Sequence, residues 1–165
     1  MPILEHSLEI AAPIERVFDL SRSIDLHQIT ASHTGEKAVG GRTEGLIELG
    51  ESVSWRAKHF GVWLHLTSKI TALDYPAYFS DEMQKGAFAS FKHEHFFTTT
   101  KAGTLVIDRF DYRSPLGILG KLADALFLKR YMHNFLYQRN LIIKRYAETE
   151  LWKEILSADK TKNAR

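Results

Sequence analysis

The chain has no cysteine, which excludes disulfide bridges and thiolate-bound metal and fits a reducing compartment. It has no apolar stretch of bilayer-spanning length, so stable membrane insertion is not expected. The opening residues Met1-Pro2-Ile3-Leu4-Glu5-His6 lack the basic segment and apolar run of a secretory leader, and the expected location is the cytoplasm. Neither sign of charge dominates. The formal net charge is +2 at pH 7, and without a dense Lys/Arg run no nucleic-acid partner is expected. No Walker loop, no G-x-G-x-x-G after a strand, no H-E-x-x-H and no G-x-S-x-G is present, so no nucleotide or other cofactor is expected. Proline is scarce, with four in the chain, and three of them (Pro13, Pro76 and Pro115) fall where the hydrophobic pattern changes period.

What the chain does have is an ordinary globular balance, 44% hydrophobic and 25% charged residues, enough for a substantial core. Residues 1–156 are expected to form one domain, followed by a frayed polar tail over 157–165. Leu4, His6, Leu8 and Ile10 alternate with Glu5, Ser7 and Glu9 as in a half-buried strand. Ala12-Pro13 ends it and opens a short helix carrying Val17, Phe18 and Leu20, with Pro13 in the first turn. Ile24 to Ile29 reads as a second short helix. The four glycines between Gly35 and Gly45 read as a loop, and Leu46 to Leu49 as a short strand.

Five further alternating runs follow, carrying Val53-Trp55-Ala57, Val62 to Ile70, Phe79-Asp81-Met83, Phe91-His93-His95-Phe97 and Val106-Asp108-Phe110-Tyr112 on their inner faces. A two-residue turn at Phe60-Gly61 pairs Trp55 with Leu66 and Ala57 with Leu64, so the apolar faces coincide. Trp63, His65 and Lys69 then face outward. Ser114-Pro115 carries the cap and first-turn signal of a helix. From Leu116 onward Leu119, Leu122, Leu126, Phe135, Leu136, Ile142 and Tyr146 recur at helical spacing, with Gly117 and Gly120 predicting a break before Leu128.

This order, with Ala12-Pro13-Ile14-Glu15-Arg16-Val17-Phe18, Leu49-Gly50-Glu51-Ser52-Val53-Ser54-Trp55, Phe79-Ser80-Asp81, Gly86-Ala87-Phe88, His93-Glu94-His95-Phe96-Phe97 and Asp108-Arg109-Phe110-Asp111-Tyr112 before Pro115-Leu116-Gly117, resembles the START-like (SRPBCC) superfamily. More narrowly it is similar to the branch labelled polyketide cyclase/dehydrase or coenzyme-Q-binding-like. The resemblance spans roughly Ile3 to Glu150. It implies an α+β helix-grip fold, with about seven curved antiparallel strands around a long C-terminal helix and two short helices after the first strand. It also implies a cavity between sheet and helix, without a universal catalytic residue.

Alternation and helical spacing turn inward a set that the cavity implied by the resemblance makes ligand-contacting: Trp55, Leu66, Phe79, Asp81, Met83, Phe91, His93, His95, Asp108, Phe110, Tyr112, Phe135 and Arg139. A turn about Gly86 sets Asp81 opposite His93 and Phe79 opposite His95. A two-residue turn at Ala102-Gly103 would set His93 opposite Tyr112 and Phe97 opposite Asp108, making Asp81, His93 and Tyr112 a polar row. Such a row suits either orientation of a ligand or proton handling by an imidazole between a carboxylate and a phenol. Arg139 is the expected partner of Asp108. The other histidines, His27, His33, His59 and His65, are expected at the rim, in loops or on the surface.

His93 and His95 share a face, and Asp81 or Asp108 is a conceivable third donor, yet no metal is expected, because a site needs about three protein ligands and the sequence does not fix the third. Lys129-Arg130, Arg139 and Lys144-Arg145 read as a solvated helix face, with an anionic head group or membrane surface as the other reading. The leading functional expectation is binding of a hydrophobic small molecule (lipid, quinone, polyketide or aromatic metabolite). The alternatives are a cofactor-free aromatase/cyclase-type enzyme using the polar row, and an interaction or stress protein with a vestigial cavity. Assembly into a homodimer stays open.

Overall fold

The computed structural model describes residues 2–162, apart from the side chains of Lys121 and residues 158–162. Strand β1 (Ile3–Ile10) buries Leu4, His6 and Ile10 and exposes Glu5 and Glu9, as its alternation requires. Helix α1 (Ile14–Ser21) buries Val17, Phe18 and Leu20, and Pro13 sits one residue before it. Ser23 caps helix α2 (Ile24–Thr30), its Oγ accepting from the Leu26 amide at 3.2 Å. That satisfies one of the amides a helix start leaves unpaired.

The sheet continues with β2 (Lys37–Gly41), β3 (Ser52–His59), β4 (Val62–Asp74), β5 (Tyr78–Lys85), β6 (Ser90–Thr99) and β7 (Thr104–Arg113). All seven strands form one antiparallel sheet in the order β1-β7-β6-β5-β4-β3-β2. The C-terminal helical arm comprises α3 (Gly117–Ala123), a π-helical segment over Asp124–Leu128, and α4 (Lys129–Glu148). This is the helix-grip architecture. Helix α5 (Trp152–Lys162) packs its start back on α1.

Two apolar clusters flank the space between sheet and arm. One gathers Val17, Phe18, Leu20, Leu26, Trp55, Ile70, Phe79, Phe97 and Ile143. The other gathers Leu4, Phe91, Phe110, Tyr112 and Leu136.

Several local expectations are corrected. Lys37–Gly41, within the stretch read as a loop, is an edge strand paired with β3 through a bulge between Ala38 and Gly40. Glycine at 41 (φ 68°) permits it, since a Cβ there would lie 2.2 Å from the Ser52 carbonyl oxygen. Leu46 to Leu49 is not a strand. Ile24 N–H bonds Gly45 O at 2.9 Å and Ile47 N–H bonds Arg22 O at 3.2 Å, so this segment is tied to the junction of α1 and α2.

The β3–β4 and β5–β6 registers match expectation, with Trp55 opposite Leu66, Asp81 opposite His93 and Phe79 opposite His95. The β6–β7 register differs by two residues: Phe91 faces Tyr112, His93 faces Phe110 and His95 faces Asp108. The turn spans Thr100 to Gly103 rather than two residues. The Thr100 hydroxyl accepts from the Ala102 and Gly103 amides at 3.2 and 3.1 Å, a local closure that side-chain hydroxyls offer. A two-residue shift keeps every side chain on its face while changing its neighbours.

Ser114 does not cap α3. Its hydroxyl donates to Asp124 at 2.5 Å, and Leu116 and Gly117 turn the chain with φ of 65° and 55°. The expected break before Leu128 takes the form of the π segment. Of the polar tail expected over 157–165, the backbone is helical through Lys162, and the last three residues lie outside those described.

Candidate functional site

Inner-face residues of β3 to β7 and the facing side of the arm enclose a cavity of about 270 Å³. Its wall is largely aromatic and aliphatic: Trp55, Leu66, Phe88, Phe91, Phe110, Tyr131, Met132, Phe135 and Leu136. Polar groups enter it from His27, Glu36, His59, His65, Ser68, Asp81 and His93. A smaller hollow of about 90 Å³ adjoins it, sharing Trp55, Ser68, Asp81, His93, Phe135 and Leu136 and adding Phe79, His95 and Arg139.

Ten of the thirteen residues named from sequence therefore border one hollow or both. Met83, Asp108 and Tyr112 border neither. Met83 packs against the cluster around Phe91 and Phe110. Tyr112 is fully buried, and its hydroxyl donates to Asp124 at 2.9 Å, while burial and the Asp124 carboxylate push the phenol's pKa up. The Asp81–His93–Tyr112 row is thus overturned by the β6–β7 register.

A different polar assembly takes its place. His95, 1% exposed, donates from Nδ1 to Asp108 Oδ1 at 2.6 Å and holds Nε2 3.5 Å from Asp81 Oδ1. Asp108 Oδ2 accepts from Asn140 Nδ2 at 2.6 Å and lies 3.9 Å from Arg139 Nη1. Arg139 was expected to be the partner of Asp108, but Asn140 makes the closer bond, and Arg139 Nη2 donates to the Ser21 carbonyl at 3.0 Å. Periodicity carries a signal for Asn140, which sits one helical turn after inward-facing Leu136.

The electrostatics follow from burial and pairing. Burial opposes charge on His95, but the Asp108 carboxylate and the bonds to Asp108 and Asp81 outweigh it and raise its pKa. Burial likewise opposes ionisation of Asp108, and the facing His95 holds its pKa far below the usual carboxylate range. Asp81 is lowered too, with burial opposed by the His95 bond and the surrounding positive charge.

His93 behaves differently. Burial and the neighbouring His95 push its pKa down to about 3, so its ring is neutral. Its Nδ1 stands 3.9 Å from Asp81 Oδ1 and its buried Nε2 has no hydrogen-bond partner among the described residues. The surrounding rings fix it, with His95 at 4.0 Å and Phe110 at 5.2 Å between centroids.

Of the histidines assigned to rim, loop or surface, His27, His59 and the exposed His65 border the cavity. His27 stacks on Trp55 at 4.2 Å and donates to Glu36 at 2.6 Å. His59 shares a 2.6 Å hydrogen bond with Tyr131. Glu36 and Tyr131 carried no sequence signal for the site, because both meet their partners only through the fold.

No protein-family model matches the chain, and no curated protein matches it. Solved structures do. A protein of Thermus thermophilus is 18% identical with a TM-score of 0.72, over 88% of this chain and 97% of that one. The ginseng major latex-like protein 151 of Panax ginseng is 15% identical with a TM-score of 0.66, over 90% and 98%. A Staphylococcus aureus protein of unknown function is 13% identical with a TM-score of 0.64, over 90% and 96%. These likenesses establish the shared fold along nearly the whole chain. Among the described residues, no helix is long and apolar enough to cross a membrane.

Proposed function

We propose that this chain binds an apolar small molecule (lipid, quinone, polyketide or aromatic metabolite) in the cavity beneath the helical arm. The observation that carries this reading is the 270 Å³ hollow walled by seven aromatic side chains, Trp55, Phe60, Phe88, Phe91, Phe110, Tyr131 and Phe135. Such a volume lies near the lower end of the roughly 300–1,000 Å³ range of small-molecule sites, which favours a compact aromatic ligand over a long acyl chain. Apolar contact supplies the affinity, at about 25 cal/mol per Å² buried before the costs of ordering. His93 and Asp81 orient the ligand's polar end.

Ligand binding is better supported than a cyclase-type reaction. A ring with a pKa of about 3, such as His93, is a weak base at neutral pH, and the Tyr112 hydroxyl is engaged by Asp124.

Native mass spectrometry of the protein purified from its own cells tests the proposal. A stoichiometric co-purifying small molecule is expected, together with saturable binding of an apolar naphthalene-type fluorophore. Both should weaken at least tenfold in Phe135→Trp, which fills part of the hollow. Absence of any bound mass, together with no saturable fluorophore binding, would overturn it.

A further inference from the structure

We propose that Asp81, His93 and His95 form a site for a divalent transition-metal ion, of the zinc type, at the floor of the cavity. The three side chains come from adjacent strands: Asp81 and His93 are direct cross-strand partners, and His95 is two residues further along the same face. Their donor atoms all lie within 4.8 Å of one another. Two donors bound tetrahedrally at about 2.1 Å from one ion stand about 3.4 Å apart. Asp81 Oδ1 is 3.5 Å from His95 Nε2 and 3.9 Å from His93 Nδ1, so small side-chain rotations close the set.

The surroundings match what such an ion requires of its neighbours. Metal-bound imidazoles characteristically donate their second N–H to a carboxylate, which fixes ring and tautomer. His95 does this toward Asp108, itself held by Asn140, leaving Nε2 turned to Asp81. His93 presents the complementary case. Its ring is held between His95 and Phe110, with Nδ1 facing Asp81 at 3.9 Å and placed to take the ion.

The ion takes the position between His95 Nε2 and Asp81 Oδ1, now 3.5 Å apart. Asp81, Asp108 and Arg139 are the other charged groups facing this position. Arg139 opposes the cation and the two carboxylates favour it.

Two imidazoles and one carboxylate suit zinc-like ions rather than calcium or magnesium, which prefer oxygen-only sets. Three protein ligands leave a coordination position open. Asp81 and His93 border both hollows, so that position is reachable by an anionic oxygen (carboxylate, phenolate or enolate) of a cavity ligand.

Titration of chelator-treated protein with Co²⁺, followed by its visible absorption and by calorimetry, tests this. One saturable Co²⁺ per chain is expected. Asp81→Asn and His93→Phe should each weaken binding 100-fold or more, and exposed His33→Gln should leave it unchanged. His93→Phe unpairs no group, so it carries the test if Asp81→Asn fails to fold. No saturable Co²⁺ binding, or binding unchanged in folded His93→Phe, overturns the proposal. Fluorophore binding by the metal-free protein is measured alongside, so that loss of the metal site and loss of the apolar site are told apart.

Discussion

Asp108 keeps its charge at 1% exposure because His95 and Asn140 each approach it to 2.6 Å and Arg139 stands 3.9 Å away. Removing one partner of a buried ion pair leaves the other uncompensated, at roughly 3–5 kcal/mol. Asp108→Asn is therefore expected to lower the unfolding free energy by that amount, read as a lower urea midpoint at unchanged m-value, whereas His93→Phe, which breaks no hydrogen bond among the described residues, should cost under about 1.5 kcal/mol. Equal midpoints for wild type and Asp108→Asn would contradict the pairing. At this scale the sequence was informative about direction and silent about partners. Alternation turned Asp108, His93 and His95 inward correctly, but which inward groups touch depends on a neighbouring strand's register and on helix rotation.

Registers are decided at turns. Phe60-Gly61, with φ of 51° and 80°, is the two-residue type whose twist suits a hairpin, and there chain spacing alone sets the pairing. The β6–β7 turn defeats that arithmetic because a threonine side chain closes a longer loop. The edge strand β2 was illegible for a related reason: its glycines signal a turn, yet serve here to bulge the strand against β3.

Gly103 shows how tightly the β6–β7 turn is fitted. Its φ is 147°, and a Cβ would fall 2.2 Å from Ile10 O and 2.8 Å from Ala12 N. Gly103→Ala is expected to destabilise by about 2 kcal/mol or more, since strained backbone and overlap with fixed backbone atoms add. Gly50→Ala, with φ of 82° and nothing within 4 Å of a Cβ, should cost only about 1 kcal/mol, the left-handed penalty alone. Thermal denaturation of the pair measures the difference.

For the molecule as a whole, the buried network makes stability depend on pH on both sides of neutrality. His93 titrates near 3 when folded against an ordinary 6.5, so between those values the unfolded chain binds the extra proton. Stability then falls on acidification by about 1.4 kcal/mol per pH unit. The lowered pKa values of Asp81 and Asp108 add to the loss below the ordinary carboxylate range. His95 acts oppositely. Its raised pKa gives stability that is complete below 6.5 and disappears as pH rises through the folded value. A maximum near pH 6.5 is expected in denaturant titrations, with the acid limb flattened in His93→Phe, and a profile level from about pH 4 to 7 would contradict it. The helix-grip order of elements was legible over almost the entire chain because each strand's alternation is long. The arm's interruption was legible only as a glycine signal, since its π segment is held by Asp124 bonds from Tyr112 and Ser114.

Strands β2 to β7 succeed one another in the sheet in the order in which they occur in the chain, whereas β1 crosses to the far edge and pairs Ile3 with Asp111. The earliest of these strands to leave the ribosome is thus the last whose partner exists. Until translation has passed Arg113, the segment bearing Leu4, His6 and Ile10 has no ladder to join, and its apolar side stays open to chaperones or to other nascent chains. Growth of the polypeptide itself thus offers β1 its partner only after β2 to β6 have been made, and the residues of the arm emerge later still.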